Sequence, residues 1–269
     1  MDNIDKQYKY EQKKINHVFH YTSVFQRLQG IILEGFFPSY CKEKVGDSNY
    51  MTPMVSFCNI PIAEVDKYMR YGKNGIGMSL NWAVRNGLTP VTYIHENSPY
   101  HNIISTLNWV NHNLRVYDET SILENKNNND KLLENLFNNE KLIHNMTVKN
   151  LQLLKNWGTV HKGVEINTYQ EREWRYLPND KYVEPVIYEN DPKYNDLLDG
   201  NKKPKPHLRE HPLNIDKIDD IKYIVVTTDL QRSKIIKTLN NRFTPDNTTK
   251  ALVRGKLSIL TASQIRNDF

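Results

Sequence analysis

Three short clusters hold residue types from which a chemical site can be built: Phe19-His20-Tyr21-Thr22, Tyr71-Gly72 and Glu171-Arg172-Glu173-Trp174-Arg175. His20 stands where a strand meets a helix. An imidazole there can donate to a ligand hydroxyl, and the helix N-terminus beside it favours phosphate. A His next to Tyr can equally be a packed polar residue. In Tyr71-Gly72-Lys73-Asn74-Gly75-Ile76-Gly77 the glycines allow close backbone approach, and Lys73 can meet a phosphate. The same residues also suit a tight helix-to-strand turn. The stretch lacks the GKS/GKT ending of a phosphate-binding P-loop, and no GxGxxG follows a strand. In the third cluster a strand would put Glu171, Glu173 and Arg175 on one face. A carboxylate there can stabilise a developing oxocarbenium ion or orient a sugar hydroxyl. A charged edge strand with a Glu-Arg pair is the plainer reading.

Other constellations fail. There is no HExxH and no GxSxG. His207 and His211 are four apart, but Pro206 and Pro212 flank them, so a helical metal site is not expected. The basic run of residues 201–207 reads as a solvated loop or a phosphate contact.

The elements that must position these residues follow from periodicity and breaks. Strands are expected over residues 16–21, 54–58, 75–79, 90–94, 164–167, 171–176 (an edge or hairpin strand), 183–188, 221–226 and 257–260. Helices are expected over 24–33 with a Thr22-Ser23 cap, 63–71, about 81–83 and 230–239, with a last one capped by Thr261. Residues 191–211 read as loop. About residues 97–157 form an Asn-rich insertion of helical period. The expectation is one α+β domain over residues 1–269, a mixed and largely antiparallel sheet surrounded by helices, with this helical insertion.

The bulk numbers fit that reading. A chain of 269 residues with 38% hydrophobic content can bury a sizeable core. Its 16 Tyr and 4 Trp argue against disorder. The balance of 36 basic and 31 acidic residues, +5, is a weak bias toward polyanions. Cys41 and Cys58 have no CxxC spacing, so a zinc knuckle is not expected. No apolar signal segment opens the chain, and no window approaches the roughly 18 apolar residues of a membrane span. A cytoplasmic protein with reduced thiols, and no membrane partner, is expected.

Taken together in order, several stretches resemble the AbiGi-type abortive phage infection proteins. They are Phe19-His20-Tyr21-Thr22-Ser23 with Ile31-Ile32-Leu33-Glu34-Gly35, Val55-Ser56-Phe57-Cys58-Asn59-Ile60-Pro61, Tyr71-Gly72 with Gly75-Ile76-Gly77 and Trp82, Pro90-Val91-Tyr93, and Glu173-Trp174-Arg175-Tyr176. The resemblance implies the antitoxin half of a phage-resistance pair, whose partner is a nucleotidyltransferase-like toxin, or a protein that senses a phage component.

The order His-Tyr-Thr, Tyr near Gly, then a late Glu is also similar to the ADP-ribosyltransferase superfamily. That similarity implies an ADP-ribosyltransferase-like fold, NAD as cofactor and a nucleic-acid substrate. It implies His20 on the ribose with Tyr21 and Thr22 beside it. It further implies Tyr68 or Tyr71 stacked on nicotinamide, Ser56 nearest the family's Ser-Thr-Ser box, and Glu173 or Glu171 as the catalytic carboxylate. Whether such a site is active or kept only as a binding module is left open by these residues.

Overall fold

The computed structural model describes residues 15–45, 48–64, 71–102, 106, 142, 145–161, 163–179, 182–198 and 208–268. Its strands are β1 (His17–Thr22), β2 (Ser39–Val45), β3 (Ser48–Cys58), β4 (Asn74–Ser79), β5 (Thr89–Pro90), β6 (Thr92–Ile94) and β7 (Leu154–Asn156). The chain continues through β8 (Gly158–His161), β9 (Val164–Asn167), β10 (Glu173–Tyr176), β11 (Ile187–Tyr188), β12 (Ile221–Val226) and β13 (Ser258–Thr261). Helices include α1 (Phe25–Glu34), α2 (Leu80–Arg85), α3 (Pro192–Leu198), α4 (Asp229–Phe243), α5 (Pro245–Val253) and α6 (Ala262–Asp268), and residues 145–153 are helical as well.

One sheet organises the molecule. Its order is β13-β12-β4-β1-β3-β10-β5, with β2 and β11 also paired to β3. All its ladders are antiparallel except β12 with β13. The expected α+β class and mixed, mostly antiparallel sheet are what form.

Strand alternation sorts the side chains into two faces. On one face Val18, Phe57, Ile76, Met78 and Trp82 meet Leu28 and Ile32 of α1 and Ile235, Leu239 and Phe243 of α4. Phe36, Phe57 and Trp82 pack ring to ring, with centroids 5.0 and 5.7 Å apart. Such pairs contribute about 0.5–1.5 kcal/mol each beyond area burial. On the other face Phe19, Cys58, Ile60 and Val225 meet Ala262 and Ile265 of α6. Further along that face Val45 and Tyr50 pack with Ile94, Val148, Leu151 and Leu154.

Helix α1 buries Leu28 and Ile32, one turn apart, and ends at Gly35 with φ 90°. A Cβ there would lie 2.8 Å from the Leu213 carbonyl oxygen, so glycine is required. The Thr22-Ser23 cap is corrected: Val24 is the N-cap without a side-chain bond, and Thr22 Oγ1 instead accepts from Val24 N–H at 3.4 Å.

Other expectations are also corrected. β3 runs back to Ser48 and forms a long hairpin with β2, an element the composition had hidden. The 183–188 strand shrinks to Ile187–Tyr188, and the loop after it contains α3. Residues 154–156, helical in period, form a strand parallel to β6. Of the 63–71 helix, residues 65–70 lie outside the described residues, Tyr68 among them. Among the described residues no helix is long and apolar enough to cross a membrane.

Candidate functional site

The Glu-Arg-Glu-Trp-Arg stretch is not one strand. Residues Thr168–Glu171 form a one-turn 3-10 helix, Arg172 takes the left-handed conformation at φ 45°, and β10 starts at Glu173. Nor is β10 an edge: it pairs with β3 over four residues and with β5 over two. A non-glycine residue in that backbone region is uncommon. Here it turns the chain so that Glu171 and Glu173 converge on one cation, Lys155. The Lys155 Nζ lies 3.2 Å from Glu171 and 2.5 Å from Glu173.

Around that pair a buried charge network assembles on the β2-β3-β10 face. Arg175, fully buried, donates from Nε to Glu173 Oε1 at 2.8 Å and pairs through Nη2 with Glu43 at 3.0 Å. Its Nη1 donates to the carbonyls of Gln152 and Leu154 at 2.7 and 3.3 Å. Ser56 Oγ donates to Glu173 Oε1 at 2.8 Å. Tyr93 Oη accepts from the Glu173 N–H at 2.7 Å. The Tyr71 hydroxyl donates to Glu171.

The charges follow from these partners. Burial works against ionising Glu173, but Arg175 and Lys155 outweigh it and hold the carboxyl at about 2. Burial likewise opposes the charge on Lys155, yet Glu173, Glu43 and Glu171 keep its pKa above the ordinary value. Glu43 goes the other way, because desolvation outweighs the attraction of Arg175 and raises its pKa. Among the described residues the network holds three carboxylates and two cations, and Glu43 is the carboxylate that burial favours neutral.

The sequence-derived residues fall into two groups. Ser56, Tyr71, Glu171 and Glu173 come together. His20 does not join them on that face. Cα partners in an antiparallel ladder share a face, so the pairs Phe19↔Cys58 and Cys58↔Glu173 put Phe19 with Glu173 and His20 opposite. His20 packs edge-on to Phe36, and Phe57 lies 5.6 Å away. Its Nδ1 bonds the Ser56 carbonyl at 2.9 Å, so Ser56 joins the two sides. Desolvation lowers its pKa and favours the neutral ring. Thr22, two residues on, is buried, and Tyr21 stacks on Phe19 one strand further from Glu173. Gly72 matters by close approach: a Cβ would lie 2.2 Å from the Thr22 carbonyl carbon. Lys73 is exposed.

Sequence reasoning missed Lys155, Glu43 and Tyr93. Lys155 sat inside a stretch read as helical insertion. Its signal was the apolar pair Leu153-Leu154 before Lys155-Asn156-Trp157-Gly158, which departs from the helical spacing of Leu142, Ile143 and Met146. Glu43 lay on the unread strand β2. Among the described residues no group of three or more His, Cys, Asp or Glu is placed to hold a metal ion, and His207 lies outside those residues.

The family model described as "Putative abortive phage resistance protein AbiGi, antitoxin" matches residues 34–227. A curated relative, the abortive phage resistance protein AbiGi of Lactococcus lactis subsp. cremoris, is 25% identical over 222 residues, covering 75% of this chain and 82% of the relative. No solved structure matches, so the expected ADP-ribosyltransferase-like fold has no structural neighbour in its support. The matched region contains β3, β10, Lys155 and all three carboxylates of the network, and the chain belongs to the AbiGi family of abortive phage resistance proteins.

Proposed function

We propose that this protein is the antitoxin of an abortive-infection pair, that it acts by binding a partner protein, and that the carboxylate network holds the binding fold together. The observation that carries this reading is the saturation of Glu173. One of its oxygens is taken by Ser56 and Arg175, the other by Lys155. A carboxylate neutralised on both sides is a poor stabiliser of a new positive charge. The family description, antitoxin, points the same way. The test is co-expression with the product of the neighbouring gene. The protein is expected to co-purify with it and to relieve its toxicity, and a folded Glu173→Gln variant is expected to do the same. Absence of both complex and relief overturns the reading.

A second reading has its own observation. Glu171 and Glu173 lie side by side with Ser56, Tyr71 and Lys155, and that set of acceptors and donors suits a sugar hydroxyl beside a developing oxocarbenium ion. It would make this an NAD-type nucleotide site that transfers ADP-ribose, resting on the acid pair and Ser56 rather than on His20. Incubation with labelled NAD and nucleic acid should then give label transfer that Glu173→Gln abolishes. Unlabelled products and undiminished NAD in a folded sample would remove it.

A further inference from the structure

Beside the carboxylate pair stands an aromatic group that neither reading uses. Trp157 and Tyr169 stack with ring centroids 4.5 Å apart at 17°, and Tyr93 meets Tyr169 edge-on at 5.4 Å. Trp157 is 41% exposed and Tyr169 50%. Large rings left this open in pairs are unusual on a folded surface without a task.

Their backbone is held firmly. The Trp157 N–H donates to the Ile94 carbonyl at 2.6 Å, and its own carbonyl accepts from Thr168 N–H and Oγ1, both at 2.9 Å. Tyr169 N–H donates to Asn167 Oδ1 at 3.0 Å, and its carbonyl accepts from Arg172 N–H at 3.2 Å. The backbone that carries both rings is therefore held, and the rings pack on each other.

The polar surroundings are those of a nucleotide. Tyr93 links the rings to Glu173 through the bond its hydroxyl accepts, and Tyr169 lies two residues before Glu171. Lys155, on the same short stretch as Trp157, spends two protons on the two carboxylates and keeps a third. Arg172 is exposed and makes no ion pair among the described residues. Flat electron-rich rings, an acid pair and two cations match base, ribose hydroxyls and phosphate respectively.

We infer that Tyr169 and Trp157 form a stacking platform for the base of a nucleotide whose phosphate meets Arg172 and Lys155. The inference rests on the nucleotide reading above and is independent of partner-protein binding. The unit recognised is a nucleoside monophosphate, supplied either as a free nucleotide or within a single strand.

The experiment titrates the full chain with AMP, with NAD and with a single-stranded RNA octamer, by calorimetry and by tryptophan fluorescence. At least one probe is expected to bind. Stacking is worth about 1–3 kcal/mol per base. Tyr169→Ala should therefore weaken that probe by roughly 5- to 150-fold, while Tyr169→Phe keeps the affinity. Melting curves confirm that both variants are folded. Binding of AMP or NAD with this pattern supports the platform and names a free nucleotide; binding of the octamer alone with this pattern supports it and names a strand. If NAD binds and Tyr169→Ala changes nothing, the platform is overturned while the nucleotide reading stands. If no probe binds at millimolar concentration, both are overturned.

Discussion

Replacing Arg175 by Met lowers the stability of the fold by about 3–5 kcal/mol, as expected when one partner of a buried ion pair is removed. Arg175 is fully buried and bridges Glu43, Glu173 and two backbone carbonyls. Without it, Glu43 loses its ion pair and Glu173 keeps Lys155 alone among the described cations. Glu43→Gln alone should change stability little, because it removes the acid whose ionised form burial disfavours. The double variant Arg175→Met with Glu43→Gln should regain part of the loss, since Glu43 is then no longer a buried acid stripped of its Arg175 partner. Denaturant unfolding of the four proteins gives the coupling directly. A single Arg175→Met variant within about 1 kcal/mol of the parent would show that the network contributes little.

That network also explains how much was legible beforehand. Strand β12 and helix α4 are locally consistent in propensity and period, so residues 221–226 and the core of α4 read correctly from the sequence. The acid cluster was legible as residue types, because Glu171 and Glu173 stand two apart in an otherwise uncommon string. Its geometry was not. Strand alternation alone would align the two carboxylates, but a 3-10 turn and a left-handed Arg172 do so instead. Propensity gives no warning of that, since arginine has no local preference for positive φ. The cations were further out of reach. Lys155 enters through β6–β7 pairing across a long sequence separation, and Glu43 through a polar strand whose alternation, Ser-Tyr-Cys-Lys-Glu-Lys-Val, gives no apolar face.

The placement of His20 is instructive for the same reason. Its order in the chain suggested a place beside the late Glu, and the two are indeed linked through Ser56. Which face a strand residue takes depends on register, and register between β1 and β3 rests on the single pair Phe19↔Cys58. A shift by one residue would have moved His20 to the Glu173 face. The packing of Val18 against α1 and of Phe19 against α6, the ladder to β4 and the His20 bond to the Ser56 carbonyl set that register.

Lys155→Met provides the second large effect, and its signature is the sign of a pH slope. In the parent protein Glu173 titrates at about 2, below its ordinary value of 4.5. Its stabilising contribution is complete above pH 4.5 and is lost as pH falls toward 2. Removing Lys155 takes away one of the two cations that outweigh burial, so desolvation and the neighbouring carboxylates now push the Glu173 carboxyl upward. The variant should therefore be about 2–4 kcal/mol less stable than the parent at pH 7.5. Lys155 is partly open to water, which keeps this below the Arg175 effect. As pH falls from about 4.5 toward 2 the deficit should shrink, because protonation of Glu173 removes in both proteins the charge that Lys155 pairs. Melting temperatures of both proteins across that range decide the matter. A deficit that stays constant with pH would mean Lys155 acts by packing its stem against β7's neighbours, and the charge argument for the site would fall with it.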